Sequence, residues 1–223
     1  SEDIKKNQNL LPGILKSNTL GYDGKGQFVL NSLDDVKKDW CFTADYILEK
    51  KVNLKKEISV VIARFKDKTL SYYQPIENEH RNQILFKSKI PADINDNICE
   101  EAISNAKKIS EKLNYVGVLT VEYFITEKNE LLVNELAPRF HNSGHLTIDA
   151  FNISQFENHV RAVCDLGSKP IGKNSNAEMF NILGSDILEY RKRTFKKNEF
   201  FYDYLKNEPR VGRKMGHLTI LKD

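Results

Sequence analysis

Two glutamates in a strand-turn-strand segment are spaced so that their carboxylates could bind one metal ion together. The segment reads VGVLTVEYFITEKNELLVNELAPRF, and a four-residue turn at 127–130 places Glu122 directly opposite Glu135. Like charges opposed across a strand pair repel, and the apolar neighbours offer them little solvent. Oxygen ligands of this kind suit Mg²⁺, which usually links protein carboxylates to substrate phosphates. The sequence therefore predicts a magnesium site; a register that differs by one residue would instead turn one glutamate to solvent.

A glycine-rich loop between two predicted strands is the second chemical signal. It reads GYDGKGQ over 21–27, between strands at 13–16 and 28–30, whereas P-loops and dinucleotide-binding loops lead into a helix. Glycines let backbone N–H groups turn toward an anion, and Lys25 adds positive charge. Lys16, at the end of the preceding strand, could reach the same phosphates. The loop predicts a phosphate-covering flap, with an ordinary glycine-rich hairpin as the alternative.

The bulk composition fits a compact cytosolic protein. The 223 residues can form one large or two small domains, and the net charge of +3 is too small to indicate a nucleic-acid binder. No apolar run is long enough to span a bilayer. The three widely spaced cysteines, Cys41, Cys99 and Cys164, fit packing positions in a reducing compartment better than a disulfide framework. Because the chain opens without an initiator Met or a signal-peptide pattern, we expect it to begin within a longer protein.

The elements that must position these residues are mixed strands and helices. Ser32 and Asp35 form a capping-box pattern for a helix that reaches Trp40. Apolar residues at spacings of three and four predict longer helices over 94–113 and 154–166. The apolar stripe of the second long helix consists of Ile153, Phe156, Val160 and Val163. Runs rich in β-branched and aromatic residues predict strands at 13–16, 28–30, 46–49, 57–65 and 70–75.

Five segments, taken in order, carry a family resemblance. They read LKSNTLGYDGKGQ, YILEKKVNLKKEISVV, NYVGVLTVEYF, VNELAPRFHNSGH and GRKMGHLTIL. Together they resemble the N5-carboxyaminoimidazole ribonucleotide synthetases, which are ATP-grasp enzymes of purine biosynthesis. The fourth and fifth segments are the most specific, although Phe140 stands where the family has a proline and Leu20 where it has a glycine. The resemblance covers nearly the whole chain.

The resemblance implies an α+β fold of the ATP-grasp type, with antiparallel sheets and packed helices that close on ATP. It assigns a lid to 1–48, a hinge to 49–52, a central nucleotide and metal domain to 53–169, and a small β-rich C-terminal domain to 170–223. Members of the family also have an N-terminal α/β domain of about a hundred residues and a final helix, which this chain lacks.

The resemblance also implies a role for individual residues. Glu122 and Glu135 match the magnesium ligands, and Lys16, Arg139, His141 and Asn142 match the catalytic groups around bicarbonate and the transferred phosphate. Tyr22, Asp23, Lys206 and Arg213 match contacts to the ribonucleotide. The nucleotide contacts match Lys16, Gly21, Tyr22, Asp23, Gly24, Lys25, Gly26, Gln27, Glu49, Lys50, Lys51, Val52, Glu57, His80, Asn134 and Glu135.

The implied reaction is ATP-dependent carboxylation of 5-aminoimidazole ribonucleotide with bicarbonate, through carboxyphosphate, by a cytoplasmic homodimer that uses Mg²⁺. Two alternatives remain: a related purine-pathway ligase such as the formate-dependent glycinamide ribonucleotide transformylase, and a non-catalytic nucleotide-binding fragment. The basic run at 190–197 is interpreted as a solvated face rather than a nucleic-acid contact. A zinc site at His141 and His145 is disfavoured, because Gly144 argues against a helix there and no acid or cysteine completes the set.

Overall fold

The computed structural model describes residues 2–19, 26–36 and 45–222. The chain divides into two compact units, Ser1–Asn53 and Leu54–Asp223. Among the described residues, no helix is long and apolar enough to cross a membrane.

The first unit is built on a three-stranded antiparallel sheet. Its elements are α1 (Glu2–Lys6), a 3-10 helix (Gln8–Leu10), β1 (Gly13–Ser17), β2 (Gln27–Leu30), a second 3-10 helix (Leu33–Asp35) and β3 (Tyr46–Lys50). The strand order is β2-β1-β3. Ile4, Leu15 and Leu30 are buried together and form the small core of this unit.

The capping box of the first unit is confirmed, but the helix that it starts is shorter than predicted. Ser32 accepts a hydrogen bond from the Asp34 amide, and the Asp35 carboxylate accepts one from the Ser32 amide. Only one 3-10 turn follows, because Val36 is already extended at φ −76° and ψ 98°. The remainder of the predicted helix, 37–40, lies outside the described residues.

The second unit contains the remaining elements. They are β4 (Leu54–Arg64), β5 (Leu70–Tyr72), β6 (Ile76–Arg81), β7 (Ile84–Ile90), α2 (Asp96–Lys112), β8 (Gly117–Thr126), β9 (Leu131–Ala137), a 3-10 helix (Ser143–Leu146), α3 (Thr147–Ala150), α4 (Gln155–Val163), β10 (Asn176–Leu183), a 3-10 helix (Gly184–Asp186), α5 (Ile187–Tyr190), β11 (Glu199–Asp203) and β12 (Lys214–Lys222).

A nine-stranded antiparallel sheet is the frame of the second unit. Its order is β11-β12-β10-β7-β6-β4-β8-β9, with β5 paired to β4. Strand β10 pairs with β7 through Ala177 opposite Ile90 and Phe180 opposite Lys87. The sheet is therefore continuous across residue 170, and the domain boundary placed there remains a prediction.

The long helix α2 packs on the sheet as its periodicity predicts. Ile98, Ala102 and Ala106 are buried on one face, in a cluster with apolar residues of β4 and β8. The small Ala102 lets Tyr123 approach closely, and the Tyr123 hydroxyl donates to the Ala102 carbonyl at 2.9 Å. Burial raises the pKa of Tyr123, so this donor stays protonated.

The predicted buried stripe of the second long helix is confirmed at Ile153, just before α4, but is wrong at its two valines. Val160 and Val163 are 51% and 42% exposed, and the helix instead buries Gln155, Asn158 and Ala162. The polar pair is accommodated because each side chain has a hydrogen-bonding partner. For Asn158 this partner is Ser71, which accepts from the amide at 3.2 Å.

The two described cysteines are free thiols. Cys99 is partly buried and Cys164 is exposed, so the packing role predicted for Cys164 is wrong. Cys41 lies outside the described residues.

Candidate functional site

The hairpin formed by β8 and β9 places Glu122 directly opposite Glu135, as predicted, although by a different route. The turn has three residues rather than four, because Thr126 already pairs with Glu130. The backbone N–H of Thr126 donates to the Glu130 carbonyl at 3.0 Å. Asn129 takes the left-handed conformation at φ 61°, which is typical of a three-residue hairpin turn.

A β-bulge restores the predicted pairing of the two glutamates. Tyr123 faces Val133, and the register shifts before Glu122 meets Glu135, which leaves Asn134 as the extra residue. The short turn and the bulge each displace the register by one residue, and the two displacements cancel. Asn134, predicted to contact nucleotide, is thus the bulged residue beside the carboxylate pair.

The two carboxylates differ in their surroundings. The Glu122 side chain is 17% exposed, and its Oε1 lies 2.8 Å from His141 Nε2, whereas Glu135 is exposed on the edge strand β9. The expectation that both would be shielded from solvent is therefore wrong for Glu135. Burial opposes ionisation of Glu122, but the hydrogen bond from His141 and nearby positive charge, including that of Arg139, outweigh it and lower the pKa of this carboxyl below its usual range.

The tautomer of His141 follows from its hydrogen bonds. The backbone N–H of Ser143 donates to His141 Nδ1 at 3.3 Å, so Nδ1 is an acceptor and the proton resides on Nε2. Nε2 then donates to Glu122. The Ser143 hydroxyl, 2.9 Å from Nδ1, donates to the same acceptor.

The hydrogen-bond chain continues through buried polar side chains into the sheet. Ser59 Oγ lies 2.8 Å from Ser143 Oγ, and it accepts from the Asn78 amide at 2.9 Å. Ser88 closes the chain by donating to Asn78 Oδ1 at 2.9 Å. Because each member has a matching donor and acceptor, the chain is fully satisfied, as a buried polar network must be. It links β7, β6 and β4 to the imidazole that holds Glu122.

Gln155 fixes the backbone of the segment that carries His141. Its side-chain amide accepts from the His141 N–H at 2.9 Å and donates to the His141 carbonyl at 2.7 Å. Gly144 packs against the same amide so closely that a Cβ there would lie 2.4 Å from Gln155 Oε1. Glycine is required here because a larger side chain would not fit, and not because the backbone is left-handed.

A short helix does form in the HNSGH segment, contrary to prediction. A 3-10 turn over Ser143–Leu146 leads into α3. His145 donates from Nδ1 to the His141 carbonyl at 2.9 Å. Within the described ranges, no group of three or more His, Cys, Asp or Glu side chains is arranged to hold a metal ion.

The two most specific sequence segments meet in space. The Lys214 ammonium, at the start of β12, donates to Asn142 Oδ1 in the HNSGH segment. One turn further along, the rings of His145 and His217 lie edge to face with their centroids 5.4 Å apart. The antiparallel sheet therefore brings residues more than seventy positions apart onto one surface of the second unit.

Aromatic rings surround this meeting point. Tyr202 stacks on His217 at 4.5 Å, and the Tyr204 hydroxyl lies 2.8 Å from His217 Nδ1. Burial and nearby Lys214 lower the pKa of His145 to about 3 and that of His217 further still. Both imidazoles are therefore neutral at physiological pH and contribute shape and dipoles rather than charge.

The predicted nucleotide residues of the second unit lie on neighbouring strands. Glu57 on β4 and His80 on β6 approach each other, with Glu57 Oε2 2.9 Å from His80 Nδ1. Beside them, Lys56 contacts Glu77 at 3.2 Å and Asp93 at 2.9 Å. Glu57 and His80 thus share one surface, as a joint role in nucleotide binding requires.

In the first unit, Lys16 and Glu49 form an ion pair at 2.6 Å between β1 and β3. Gly26 takes φ +77°, and a Cβ there would lie 2.4 Å from Ser17 Oγ, so only glycine fits this position of the loop. Gln27 opens β2 and Lys50 ends β3, with Lys51 and Val52 beyond it. The predicted contacts Gly21, Tyr22, Asp23, Gly24 and Lys25 lie outside the described residues.

The remaining predicted site residues lie near the C-terminal strands and the hairpin. Lys206 donates to the Lys214 carbonyl at 2.7 Å, and Arg213 donates to the Glu208 carbonyl at 3.0 Å. Arg139 follows β9, is exposed, and donates to the adjacent Phe140 carbonyl at 2.9 Å. Lys206 therefore adjoins the surface that Asn142 shares with Lys214.

The positive charge of the basic run at 190–197 is largely balanced by acidic side chains close to it. Arg191 contacts Asp203 at 2.7 Å, and Arg193 contacts Glu199 at 2.8 Å. This pairing fits the interpretation of the run as a solvated charged face.

Sequence reasoning missed the polar residues that support the site. Ser59, Ser88 and Ser143 are 0% exposed. The available signal was Ser59, a serine within the otherwise apolar run of β4. Lys214 was also missed, although it adjoins Arg213 in a segment already recognised as specific. Gln155 carried no signal, because its partners lie in the backbone of a distant segment.

The two glutamates fit a magnesium ion in donor chemistry. Both are carboxylates on adjacent strands, and Mg²⁺ in proteins is commonly held by one or two carboxylates together with substrate phosphates and water. A third protein ligand is not needed for such a site.

The chain matches two models of known protein families. Residues 3–156 match the family model described as "ATP-grasp domain". The chain belongs to the ATP-grasp family. Residues 177–223 of this ATP-grasp chain match the model "Phosphoribosylaminoimidazole carboxylase C-terminal domain".

Individual relatives confirm the resemblance found in the sequence. The ATP-grasp chain is 44% identical over 218 residues to the N5-carboxyaminoimidazole ribonucleotide synthase of Bacillus subtilis, covering 95% of this chain and 57% of that protein. It is similar to the Staphylococcus aureus N5-carboxyaminoimidazole synthetase solved with ADP, at 39% identity and a TM-score of 0.91, over 100% of this chain and 61% of that one. The Aspergillus clavatus enzyme, solved with ADP and 5-aminoimidazole ribonucleotide, gives 30% identity, a TM-score of 0.88 and coverage of 99% and 61%.

These comparisons confirm the α+β ATP-grasp fold. They also show that the chain spans about three fifths of the length of the relatives it matches.

Proposed function

We propose that this chain supplies the nucleotide, metal and bicarbonate chemistry of an N5-carboxyaminoimidazole ribonucleotide synthase, a carbon–nitrogen ligase. The observation that carries the proposal is the contact between Asn142 and Lys214. It unites the two segments most specific to that enzyme beside the Glu122 and Glu135 pair. The relatives named above carry this activity in their names, and one was solved with the ribonucleotide.

In the proposed reaction, a bicarbonate oxygen attacks the γ-phosphorus of ATP, the bond to the β-phosphate oxygen breaks, and ADP and carboxyphosphate form. Carboxyphosphate then breaks its C–O bond to give CO₂ and inorganic phosphate. The exocyclic amine of 5-aminoimidazole ribonucleotide adds to CO₂ and loses a proton, which gives the N5-carboxylate. Most of the catalytic work is positioning and electrostatic stabilisation.

Each group of residues has a defined task in this proposal. Glu122 and Glu135 hold Mg²⁺, which when bound supplies positive charge to the phosphate oxygens. The buried serine and asparagine chain keeps His141 in the tautomer that donates to Glu122, and so fixes the orientation of this carboxylate. Arg139 and Asn142 lie beside His141 in sequence and supply donors for bicarbonate or carboxyphosphate.

The nucleotide and ribonucleotide contacts follow the family pattern. Lys16 and the glycine loop bind the phosphates, Glu49 to Val52 read the adenine, and Glu57 with His80 binds the ribose side of the nucleotide. Tyr22, Asp23, Lys206 and Arg213 bind the ribonucleotide. We further propose a cytoplasmic enzyme that acts as a homodimer.

The test is ADP release from this chain with ATP, Mg²⁺, bicarbonate and 5-aminoimidazole ribonucleotide. The assay is repeated after addition of the part of the Bacillus subtilis relative that this chain does not match. We expect release that depends on the ribonucleotide and on bicarbonate. With ¹⁸O-labelled bicarbonate, one labelled oxygen should appear in the inorganic phosphate, because the attacking oxygen stays on phosphorus. Absence of ribonucleotide-stimulated release in both assays would favour a non-catalytic nucleotide-binding chain.

A further inference from the structure

Two buried polar side chains face each other across β10 and β12, and each has one atom without a hydrogen-bonding partner. Asn181 and His217 are directly opposed in the antiparallel pair and are 6% and 1% exposed, so both side chains point to the same face of the sheet. Among the described residues, no partner lies within hydrogen-bond distance of Asn181 Oδ1 or of His217 Nε2. Buried polar atoms in folded proteins are nearly always paired, so a group that bridges these two atoms is expected.

The free atom of Asn181 is an acceptor, as its amide contact shows. The Asn181 NH₂ group donates to the Leu85 carbonyl of β7 at 2.7 Å, just beyond the ladder pair of Phe180 with Lys87. A carbonyl oxygen only accepts, so the atom in contact with it must be the nitrogen and the remaining atom must be the oxygen. Asn181 therefore presents an acceptor to the face that it shares with His217.

The free atom of His217 is a donor, as its contact with Tyr204 shows. The Tyr204 hydroxyl lies 2.8 Å from His217 Nδ1, and burial raises the pKa of Tyr204, so the hydroxyl keeps its proton. The ammonium groups of Lys206 and Lys214, which face the same ring at 5.5 Å and 5.4 Å, cannot accept a hydrogen bond. The hydroxyl therefore donates to Nδ1. Because burial keeps His217 neutral, its single ring proton lies on Nε2.

The two unpartnered atoms thus match each other as a donor and an acceptor on one face of adjacent strands. One water molecule between His217 Nε2–H and Asn181 Oδ1 would satisfy both, as buried waters in proteins commonly do. The plane of the imidazole is fixed separately, because Tyr202 stacks on it at 4.5 Å and donates to Asp149 at 2.6 Å. The ring of His217 is therefore held at its face and at both nitrogens.

We propose that Asn181 and His217 are positioning residues, which hold the Tyr204 ring in place with one water between Asn181 Oδ1 and His217 Nε2–H. The ring matters because the Lys206 ammonium faces it, and the role of Lys206 as a ribonucleotide contact rests on the proposed function. None of Asn181, His217 and Tyr204 is among the residues matched to a ligand. They connect β7, β10 and β12 to the segment after β11 that carries Lys206, and so restrict where this lysine can lie.

The first measurement is nuclear magnetic resonance of the chain labelled with ¹⁵N-histidine, without ligands. We expect His217 to carry its proton on Nε2, and this tautomer is read from the original chain without any variant. In Asn181→Leu the Nε2 proton resonance should move upfield, because its hydrogen bond is lost. Asn198→Leu is the matched control and should leave the resonance unchanged, since exposed Asn198 also donates to a strand carbonyl, that of Leu221, at 2.9 Å. A proton on Nδ1, or an Nε2 resonance that is the same in Asn181→Leu, would overturn the proposal.

The second measurement follows the ε-methylene protons of Lys206 in the chain labelled with ¹³C-lysine, with Lys206→Arg used for assignment. Their chemical shifts report the ring current of Tyr204, and Tyr204→Leu defines its complete loss. His217→Leu should lose at least half of this shift, because the ring is no longer held at its hydroxyl. His217→Asn keeps an acceptor near the Nδ1 position and should retain most of it. Equal shifts in the original chain and in His217→Leu would contradict the positioning role.

The kinetic consequence is measured in the ADP-release assay with the added part of the Bacillus subtilis relative. His217→Leu should raise KM for 5-aminoimidazole ribonucleotide about tenfold, while KM for ATP stays within about twofold. His217→Asn should recover most of the lost affinity. Equal increases in both KM values would indicate a general structural role and refute the proposal. Absence of turnover in every chain, including the original, would count against the proposed function alone, because the two resonance measurements still decide the positioning.

Discussion

Glu122 and Glu135 stand directly opposite each other on β8 and β9, yet only Glu122 is held by His141, at 2.8 Å. The pair is therefore asymmetric before any ligand binds: one carboxylate is fixed by a buried hydrogen-bond chain, and the other is exposed at the sheet edge. Such an arrangement suits a site in which one ligand is preorganised and the second adjusts when the substrate arrives.

The first prediction concerns this asymmetry. Glu122→Gln should lower the free energy of unfolding by about 1 kcal/mol, because it weakens a charge-assisted hydrogen bond. Glu135→Gln, at an exposed position, should stay within about 0.5 kcal/mol. Both should abolish Mg²⁺-dependent ADP release. Urea unfolding and the release assay measure the two effects, and full activity in Glu135→Gln would refute the metal assignment.

The effect of Glu122→Gln should also depend on pH. The pKa of Glu122 is lowered in the folded state, so its contribution is present above the unfolded-state pKa and is lost as pH falls through the folded-state value. The difference between the variant and the original chain should therefore shrink at acid pH. A difference that grows on acidification would contradict this assignment.

The second prediction concerns the buried serines. Ser59→Ala should cost about 1–3 kcal/mol, because it leaves Asn78 without its acceptor in a region closed to water. Ser143→Ala should cost a similar amount, and the double variant less than both costs combined, because the two residues belong to one chain. Ser168→Ala, at an exposed serine, is the control. Additive costs in urea unfolding would show that the two hydroxyls act independently.

The third prediction concerns Gly144. Gly144→Ala should cost about 1–3 kcal/mol, because the added methyl collides with the Gln155 amide. Gly172→Ala, where the nearest atom would lie 3.5 Å away, should be nearly neutral. In a Gln155→Ala background the cost of Gly144→Ala should fall, since the colliding group is gone. An unchanged cost in that background would place the strain elsewhere.

The fourth prediction concerns the charge of Lys214 and the stability of the fold. The pKa of Lys214 is lowered to about 7 in the folded state, so between pH 7 and the unfolded-state value the unfolded chain binds more protons and stability rises with pH. The charge of Lys214 therefore destabilises the fold most below pH 7. Lys214→Met should look more favourable, relative to the original chain, at pH 6 than at pH 9. Thermal unfolding at the two pH values measures this difference.

The hairpin shows both the reach and the limit of reasoning from sequence. The pairing of Glu122 with Glu135 was predicted from a four-residue turn and is confirmed, but the turn has three residues and a bulge at Asn134 restores the register. A hydrophobic pattern fixes which residues share a face. It does not reveal a compensating bulge, because the bulge depends on local backbone geometry.

The helices show the same limit. The periodicity of α2 located its buried face, since Ile98, Ala102 and Ala106 pack on apolar strands. In α4 the apolar pattern pointed to Val160 and Val163, while the buried positions are Gln155 and Asn158. Burial of those amides is stabilised by partners on segments distant in sequence, and such partners leave no periodic signal.

Sequence resemblance identified some residues of the site, and the structure was needed to identify the others. The two most specific family segments, VNELAPRFHNSGH and GRKMGHLTIL, located His141 and Arg213 by resemblance. The groups that connect and orient them, such as Ser59 and Lys214, became apparent only from distances. A resemblance transfers residues with known roles, whereas supporting residues are recognised by their contacts.

The pairing of β10 with β7 has a consequence for variants far from the chemistry. Ser88, the last member of the hydrogen-bond chain, lies on β7 directly opposite Met179 of β10, and Met179 in turn lies opposite Thr219 of β12. One row of residues across three strands thus connects the support of His141 to the strand that begins with Lys214. A substitution at Met179, which contacts no proposed ligand, should therefore disturb both the support of His141 and the strand that begins with Lys214.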